Sequence, residues 1–456
     1  MGNLTPTYGT RGNDKLSAGS STGWIYGEAG DDTITGSIYD DRLHGGSGRD
    51  KISGDKGNDL IEGGADADAI DGGEGTDTAS YESSAAGVGV DLASGRARGG
   101  HADGDRLVNI ENLTGSRHAD TLLGDAGDNV LDGGEGDDFL RGGAGRDTLI
   151  GGGGVDTASY ADSGVGVVIS LLAGISADDV NGDGDLDAAD DANGDGSFSQ
   201  ADFVDTLSQI ENVTGSAFGD MIEGSNDANV IDGGGGDDEL YGRDGADTLL
   251  GGAGADELHG DGQDDILNGG AGGDAINGGL GKDTASYAGS NAGVFIDLAN
   301  AIAEGGHAHG DTLTSIEHLE GSSHGDVLKG SYGNNVIKGG GGDDVIQGRA
   351  GTDELWGGAG NDTFVFDQSD PAHNNSIVGF EIEGIGDFVA GGSEDAIDLT
   401  NAGTGYDSLQ DVLANSWQAT AATGEIATVI DLGPAGSVLL LNVTMAQLTA
   451  QDFIFG

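Results

Sequence analysis

The sequence predicts an all-β protein: a parallel coil of short strands wound in four blocks, with three β-rich inserts between them and a small β-rich C-terminal cap. Three observations predict it. A nine-residue beat sets Asp32, Asp41, Asp50, Asp59, Asp68 and Asp77 in phase, most of them followed two residues later by Ile or Leu. The same beat restarts three times further along the chain. Composition argues against the ordinary alternatives, since 94 of 456 residues are Gly, 5% are aromatic and the formal net charge is -64. Apolar residues are too few and too evenly spread for several mixed α/β cores. Low hydrophobicity with charge of one sign reads as disorder, unless a regular repeat has its carboxylates neutralised.

The first block covers residues 1–80. It opens with Asp14, and Gly45-Gly46-Ser47-Gly48-Arg49-Asp50-Lys51-Ile52-Ser53 shows its unit whole. The glycines turn the chain with φ > 0, which other residues adopt only at a cost. A strand of three residues is not stable alone. With two nonapeptides to a turn, each strand stacks about 4.8 Å from the one eighteen residues later. Ile34, Ile52 and Ile70 then face inward on one side, and Leu43 and Ile61 on the other. The second block, 117–159, carries Asp120, Asn129, Asp138, Asp147 and Asp156. The third, 217–286, carries Asp220, Asn229, Asp238, Asp247, Asp256, Asp265, Asp274 and Asp283. The fourth, 323–366, carries Asp326, Asn335, Asp344, Asp353 and Asp362. Asn at the second beat of each later block predicts a turn that binds no ion.

Inserts at 81–116, 160–216 and 287–322 repeat a longer unit. Asp77-Thr78-Ala79-Ser80-Tyr81 recurs at Asp156 to Tyr160 and at Asp283 to Tyr287. An alternating strand follows, as in Val88 to Leu92, and then Ile110-Glu111-Asn112-Leu113-Thr114-Gly115-Ser116 or its partners. The alternation marks β-segments that continue the coil or pack on its side. From Asp77 to Asp120 is 43 positions, as from Asp283 to Asp326, but Asp156 to Asp220 is 64, with the surplus at 179–202. Over 367–456 the beat stops and apolar runs such as Val438 to Leu441 suffice for a conventional β-rich core.

The coil lays Asp32 over Asp50 over Asp68, and Asp41 over Asp59 over Asp77. Carboxylates this close repel unless a cation lies between them. Ca²⁺ fits, because it takes about 6–8 oxygens, backbone carbonyls included, in flexible geometry. Mg²⁺ keeps its water and wants an octahedron, and Zn²⁺ prefers His or Cys. There is no Cys, so metal ions take the place of disulfides as staples. With 17 Lys and Arg against 81 Asp and Glu, nucleic-acid binding is excluded as an expectation. No apolar run reaches membrane-spanning length. Met1 to Pro6 lacks the basic and apolar regions of a cleaved export signal.

These in-phase units resemble the RTX (repeats-in-toxin) calcium-binding family over nearly all of residues 9–366. The resemblance implies a β-roll solenoid, a parallel β-helix, holding several Ca²⁺ ions. It implies that each sixth-position Asp supplies a side-chain oxygen and the turn carbonyls supply the rest. Those positions are Asp14, Asp32, Asp41, Asp50, Asp59, Asp68 and Asp77, then Asp120, Asp138, Asp147 and Asp156. They continue with Asp220, Asp238, Asp247, Asp256, Asp265, Asp274 and Asp283, then Asp326, Asp344, Asp353 and Asp362. Asp66 and Gln263 replace turn glycines and Gly23 stands at a beat, so weaker sites are expected there. Gly360 to Phe366, Ile385 to Phe388, Asp395 to Leu399 and Leu448 to Phe455 are similar to the C-terminal region of RTX exoproteins. That implies type I secretion from a Gram-negative bacterium to the medium or cell surface, with an uncleaved C-terminal signal. A chain unfolded at low cytosolic Ca²⁺ and folded by external Ca²⁺ fits such export.

A second calcium motif lies in the middle insert. Asp179, Asn181, Asp183, Asp185, Asp187 and Asp190 fall at the ligand positions of an EF-hand-like loop, and Asp191, Asn193, Asp195, Ser197 and Asp202 begin another at once. Both end in Asp, whose shorter side chain predicts weaker binding, and their close spacing resembles dockerin-type modules. No catalytic residue is expected. The chain has no H-E-x-x-H, no G-x-S-x-G and no Cys nucleophile. His101 and His307 sit in paired insert loops read as turn structure. RTX enzymes carry their catalytic domain outside the repeats, and a repeat that begins by Gly9 leaves no room for one. The expectation is therefore a non-enzymatic, secreted structural or self-assembling component of a surface layer, filament or matrix. Its expected partners are Ca²⁺, the type I secretion machinery and other copies of the chain. The alternative is an accessory module that aids export and folding of a secreted enzyme or adhesin.

Overall fold

The computed structural model describes residues 6–20, 23–179, 205–367, 395–401, 406–420, 426–432, 437–441, 444–446, 448 and 450–455. It divides into two units, residues 1–234 and 235–456.

In the first unit, strands pair in parallel with partners eighteen positions on. Thr33 aligns with Lys51 and Lys51 with Ala69 on one wall. Arg42 aligns with Leu60 and Leu60 with Thr78 on the other. The U positions fill the space between the walls: Ile34, Ile52 and Ile70 are 1% exposed and Ile61 fully buried. Each such side chain contributes about 1.5–3 kcal/mol by leaving water. Strands in the heart of the block are longer than the three residues expected. Arg42–Ser47, Lys51–Lys56, Leu60–Ala65 and Ala69–Glu74 each run six residues, because the Gly-Gly step keeps its pairing, Gly46 aligning with Gly64.

The inserts continue the walls rather than leaving them. Gly89–Asp91, Arg96–Arg98 and Arg106–Val108 form an antiparallel meander. Its ends pair in parallel with Thr121–Leu123 and with Ala69–Glu74. On the opposite wall one strand, Asn112–Thr114, spans from Thr78–Ser80 to Val130–Glu135. One wall thus gains three strands and the other gains one. The middle insert repeats the plan with Gly166–Ser170, Ile175–Asp179 and Asp205–Ser208. Its extra residues fall between the last two strands, so the EF-hand-like positions from Asn181 to Asp202 lie outside the described residues, and only the backbone of Asp179 is described.

In the second unit, Glu239–Tyr241, Glu257–His259 and Ala275–Asn277 stack in parallel on one wall. Thr248–Ala253, Ile266–Ala271 and Thr284–Ser286 stack on the other. The third insert pairs Phe295–Asp297 with Ile302–Glu304. It is pinned to the fourth block by Arg349, which is buried and donates to Asp297 Oδ2 at 2.6 Å and to the Gly330 carbonyl at 3.0 Å. Beyond Thr363–Asp367 the coil gains two parallel strands, Ala396–Asn401 and Phe453–Ile454. A three-stranded antiparallel sheet of Ser416–Thr420, Ile426–Asp431 and Ser437–Leu441 follows, with the short helix Leu409–Ala414 capped by Ser408. Phe364 and Ile397 in the coil, and Val412, Ile430 and Leu440 in the helix and sheet, are at most 1% exposed.

Candidate metal centre

The beat aspartates are tied rung to rung through their backbone N–H groups and one carboxylate oxygen. The backbone N–H of Asp32 donates to Asp50 Oδ1 at 2.7 Å, and that of Asp50 to Asp68 Oδ1 at 2.8 Å. On the other wall Asp41 donates to Asp59 Oδ1 and Asp59 to Asp77 Oδ1, both at 2.7 Å. Later blocks do the same: Asp138 to Asp156, Asp238 to Asp256, Asp247 to Asp265 and Asp344 to Asp362, at 2.8–2.9 Å. One oxygen of each of these accepting carboxylates is therefore used by the coil itself.

The second oxygen divides the beats into two classes. Oδ2 of Asp32, Asp50, Asp59, Asp68 and Asp77 is buried without a protein donor. So is that of Asp138, Asp147, Asp156, Asp256, Asp265, Asp274, Asp283, Asp344, Asp353 and Asp362. In these turns the residue four before the beat is left-handed, as Gly46 is before Asp50 (φ 117°) and Gly340 before Asp344 (φ 101°). Glu28, Asp55, Arg243 and Arg349 adopt the same conformation at φ 67–81° before Asp32, Asp59, Asp247 and Asp353. Asp66 and Gln263 also keep the left-handed turn they interrupt in sequence, at φ 79° and 77°, a strain of about 1–3 kcal/mol each.

In the second class, that residue is Ser or Thr and caps the carboxylate. The N–H of Thr10, Ser37, Ser216 and Ser322 donates to Oδ2 of Asp14, Asp41, Asp220 and Asp326 at 2.5–2.6 Å. Ser116 does so for Asp120. The hydroxyls of Ser116, Ser216 and Ser322 add a bond to Oδ1 at 2.8–3.0 Å. The asparagines belong here too. Oδ1 of Asn129, Asn229 and Asn335 accepts the N–H of Asp125, Ser225 and Ser331 at 2.7–2.9 Å. Their Nδ2 donates to the carbonyls of Glu111, Glu211 and Glu317 at 2.6–2.7 Å. A carboxylate has no proton for that second bond, which explains the exchange of Asp for Asn.

Sequence reasoning missed the acidic residues by which inserts carry the ladder onward. Asp68, Asp147 and Asp274 donate to Oδ1 of Asp105, Asp205 and Asp311 at 2.8–2.9 Å. Asp77, Asp156 and Asp283 donate to Oε2 of Glu111, Glu211 and Glu317 at 2.8–3.0 Å. Tyr81 and Tyr287 give their hydroxyls to Oδ2 of Asp105 and Asp311 at 3.2 and 2.9 Å. The signal was present in Asp105-Arg106-Leu107, Asp205-Thr206-Leu207 and Asp311-Thr312-Leu313, which keep the D-x-U spelling. Their phase hides them, since Asp68 to Asp105 is 37 positions, one more than a multiple of nine.

The first-class turns fit a calcium ion. A Cβ added at Gly45 would collide with both Asp50 Oδ2 and the Gly63 carbonyl, and one at Gly339 with Asp344 Oδ2 and the Gly357 carbonyl. Carboxylate and carbonyl oxygens thus converge over the flat face of a glycine, as a hard cation requires. Burial is what the protein opposes here. It lifts Asp59, Asp138, Asp147, Asp265, Asp344 and Asp353 to about 7 and Asp68 to about 8. The N–H bond from the preceding turn pulls in the other direction, and at most of these positions neighbouring carboxylates push upward again. A divalent ion removes both the burial cost and the repulsion.

The histidines do other work. His101 and His307 lie in 3₁₀ turns Gly100–Ala102 and Gly306–Ala308, their N–H groups held by Ser84 and Ser290 hydroxyls at 3.0 Å. His259 pairs with Glu257 on the outer wall at 3.0 Å, with Glu239 close by. No helix among the described residues is long and apolar enough to cross a membrane.

No curated protein matches the sequence at significance. A family model for the RTX calcium-binding nonapeptide repeat, in four copies, matches residues 8–43, 26–61, 44–79, 114–149, 123–158, 214–249, 250–285, 320–355 and 329–364. Those matches fall on the stacked turns just described and together span half the chain. A coil whose buried carboxylates stack at eighteen-residue intervals, and whose repeats bind several Ca²⁺ ions, places the chain in the RTX family of calcium-binding nonapeptide-repeat proteins.

Proposed function

We propose that the protein is a secreted, non-enzymatic structural component that folds on extracellular Ca²⁺ and assembles with its own copies at a cell surface or in a matrix. The beat aspartates supply its calcium ligands, together with turn carbonyls. The observation that carries the reading is the row of buried Oδ2 atoms without protein donors, each of which costs folding free energy unless a cation meets it. Such a chain stays expanded where Ca²⁺ is scarce, held open by its net charge of -64. It is then suited to passage through a type I secretion channel of a Gram-negative bacterium, and it folds where Ca²⁺ is abundant. The described outer faces carry many uncompensated carboxylates, and Ca²⁺ bridging between chains gives a route to assembly. The C-terminal segment acts as cap and export address.

Circular dichroism titrated with Ca²⁺ tests the folding claim, with β signal expected to rise cooperatively. Light scattering and electron microscopy of the folded product, with and without chelator, test assembly. Ordered multimers that dissolve in chelator support it. Monodisperse monomers at millimolar Ca²⁺ refute the assembly claim and favour an accessory module for a secreted enzyme or adhesin.

A further inference from the structure

We infer that Ca²⁺ occupies only the turns whose residue four before the beat is left-handed, and that each later block opens with a full turn of coil that holds no ion. The inference rests on the reading that beat aspartates ligate calcium, and it goes further by dividing them. Carboxylate and carbonyl converge on a glycine in both classes, but in a left-handed turn the carboxylate keeps one buried oxygen uncommitted, as at Asp344. In the other class that oxygen already accepts the Ser N–H, as Asp326 does from Ser322 at 2.6 Å. The N–H carries partial positive charge and fills the place a cation needs. The asparagine turns close the cradle more firmly. Asn335 brings a neutral amide whose own N–H points at the Glu317 carbonyl at 2.6 Å, so a donor stands where an anionic ligand is required.

The two kinds of self-satisfied turn come in pairs: Asp120 with Asn129, Asp220 with Asn229, and Asp326 with Asn335. Each pair is nine residues apart, so its members lie on opposite walls and complete one turn. That turn follows directly on the insert, whose Tyr287 clamps Asp311 without a cation. The second and fourth blocks therefore begin on a seam that hydrogen bonds alone can form, and calcium-dependent turns stack onto it. Sequence reports the class at most turns through one position: Ser or Thr there marks a seam and Gly marks an ion site, whereas Asp stands in both, as Asp125 before Asn129 and as left-handed Asp55 before Asp59.

Native mass spectrometry of the full chain in excess Ca²⁺ tests the division by counting bound ions. Asp326→Asn is expected to keep the wild-type count, whereas Asp344→Asn is expected to lose about one or two ions, because an ion shares ligands between turns. The double variant Ser331→Gly with Asn335→Asp, which converts a seam turn to the other class, is expected to gain about one ion. Far-UV circular dichroism checks that each variant is folded. Equal losses in Asp326→Asn and Asp344→Asn, or a folded double variant with no gain, overturn the division and leave the calcium reading intact. A wild-type chain that binds no calcium overturns the calcium reading itself. Should Asp326→Asn fail to fold, the double variant decides alone.

Discussion

Acidification should restore β-structure to the calcium-free protein. Burial places the Asp59 carboxyl at about 7 in the coil and Asp68 at about 8, against 3.8 for the ordinary group. The folded chain therefore holds these protons more tightly than the unfolded chain does. The penalty for folding is complete above the folded values, shrinks as pH falls through them, and is gone below 3.8. At about 1.4 kcal/mol per pH unit, the gap at Asp59 amounts to about 4 kcal/mol. Several positions carry a shift in the same direction, so the calcium-free coil at pH 8 is opposed at each of them. The assay is circular dichroism and hydrodynamic radius in EGTA, titrated from pH 8 to 4.5. The expected result is a gain of β signal and compaction centred between about 6 and 8, where these buried groups take up protons. A transition centred near 4 instead reports exposed carboxylates and loss of general repulsion. That outcome, or no gain at all, refutes the claim that the buried carboxylates set the requirement for calcium.

Three further outcomes follow from particular contacts. Gly45→Ala drives a methyl into Asp50 Oδ2 and the Gly63 carbonyl, at a cost of about 1–3 kcal/mol, and should raise the calcium concentration needed for folding in a circular dichroism titration. Arg349→Met leaves Asp297 buried without its cation, which costs about 3–5 kcal/mol and lowers the melting temperature in saturating Ca²⁺. The arginine also holds the Asp297 carboxyl below its usual value, so the wild-type advantage is present at neutral pH and fades as pH falls below about 4. Tyr81→Phe removes the donor to Asp105 Oδ2, costing about 1–3 kcal/mol, with the loss read in thermal melts.

Much of the fold was legible because the repeat itself dictates register. A beat of nine with two units to a turn fixes partners eighteen residues apart, and the walls pair that way, Ile34 with Ile52 and Leu43 with Ile61. The inserts were legible as β-segments but not in their path, since nothing local to Arg96–Arg98 states that it runs antiparallel between two strands of a parallel wall. Asp105 and Asp311 escaped because a one-residue slip conceals them from a search by period, and Asp205 because it lies 58 positions beyond Asp147, four more than a multiple of nine. The two turn classes escaped for a different reason. Whether an Asp keeps an oxygen open depends on the φ of a residue four positions earlier, and Glu28 and Arg349 adopt a value their side chains disfavour only because the stack imposes it.

Among the described beats, the bonds from an aspartate N–H to a neighbouring beat's carboxylate point toward the C-terminus. Asp344 N–H reaches forward to Asp362, and Asp362 N–H reaches forward to Asp395 at 3.0 Å. A beat's own N–H is therefore met by the rung that succeeds it, while the N–H of the next residue reaches back, as Thr363 does to the Asp344 carbonyl at 2.7 Å. Removing residues from the tail strips a beat N–H of its carboxylate, while trimming the head strips the N–H that follows a beat of its carbonyl, as Lys51 would lose that of Asp32. The two ends of a stack thus ask for different caps: a carboxylate to receive a beat N–H at the tail, and a carbonyl to receive the N–H after a beat at the head.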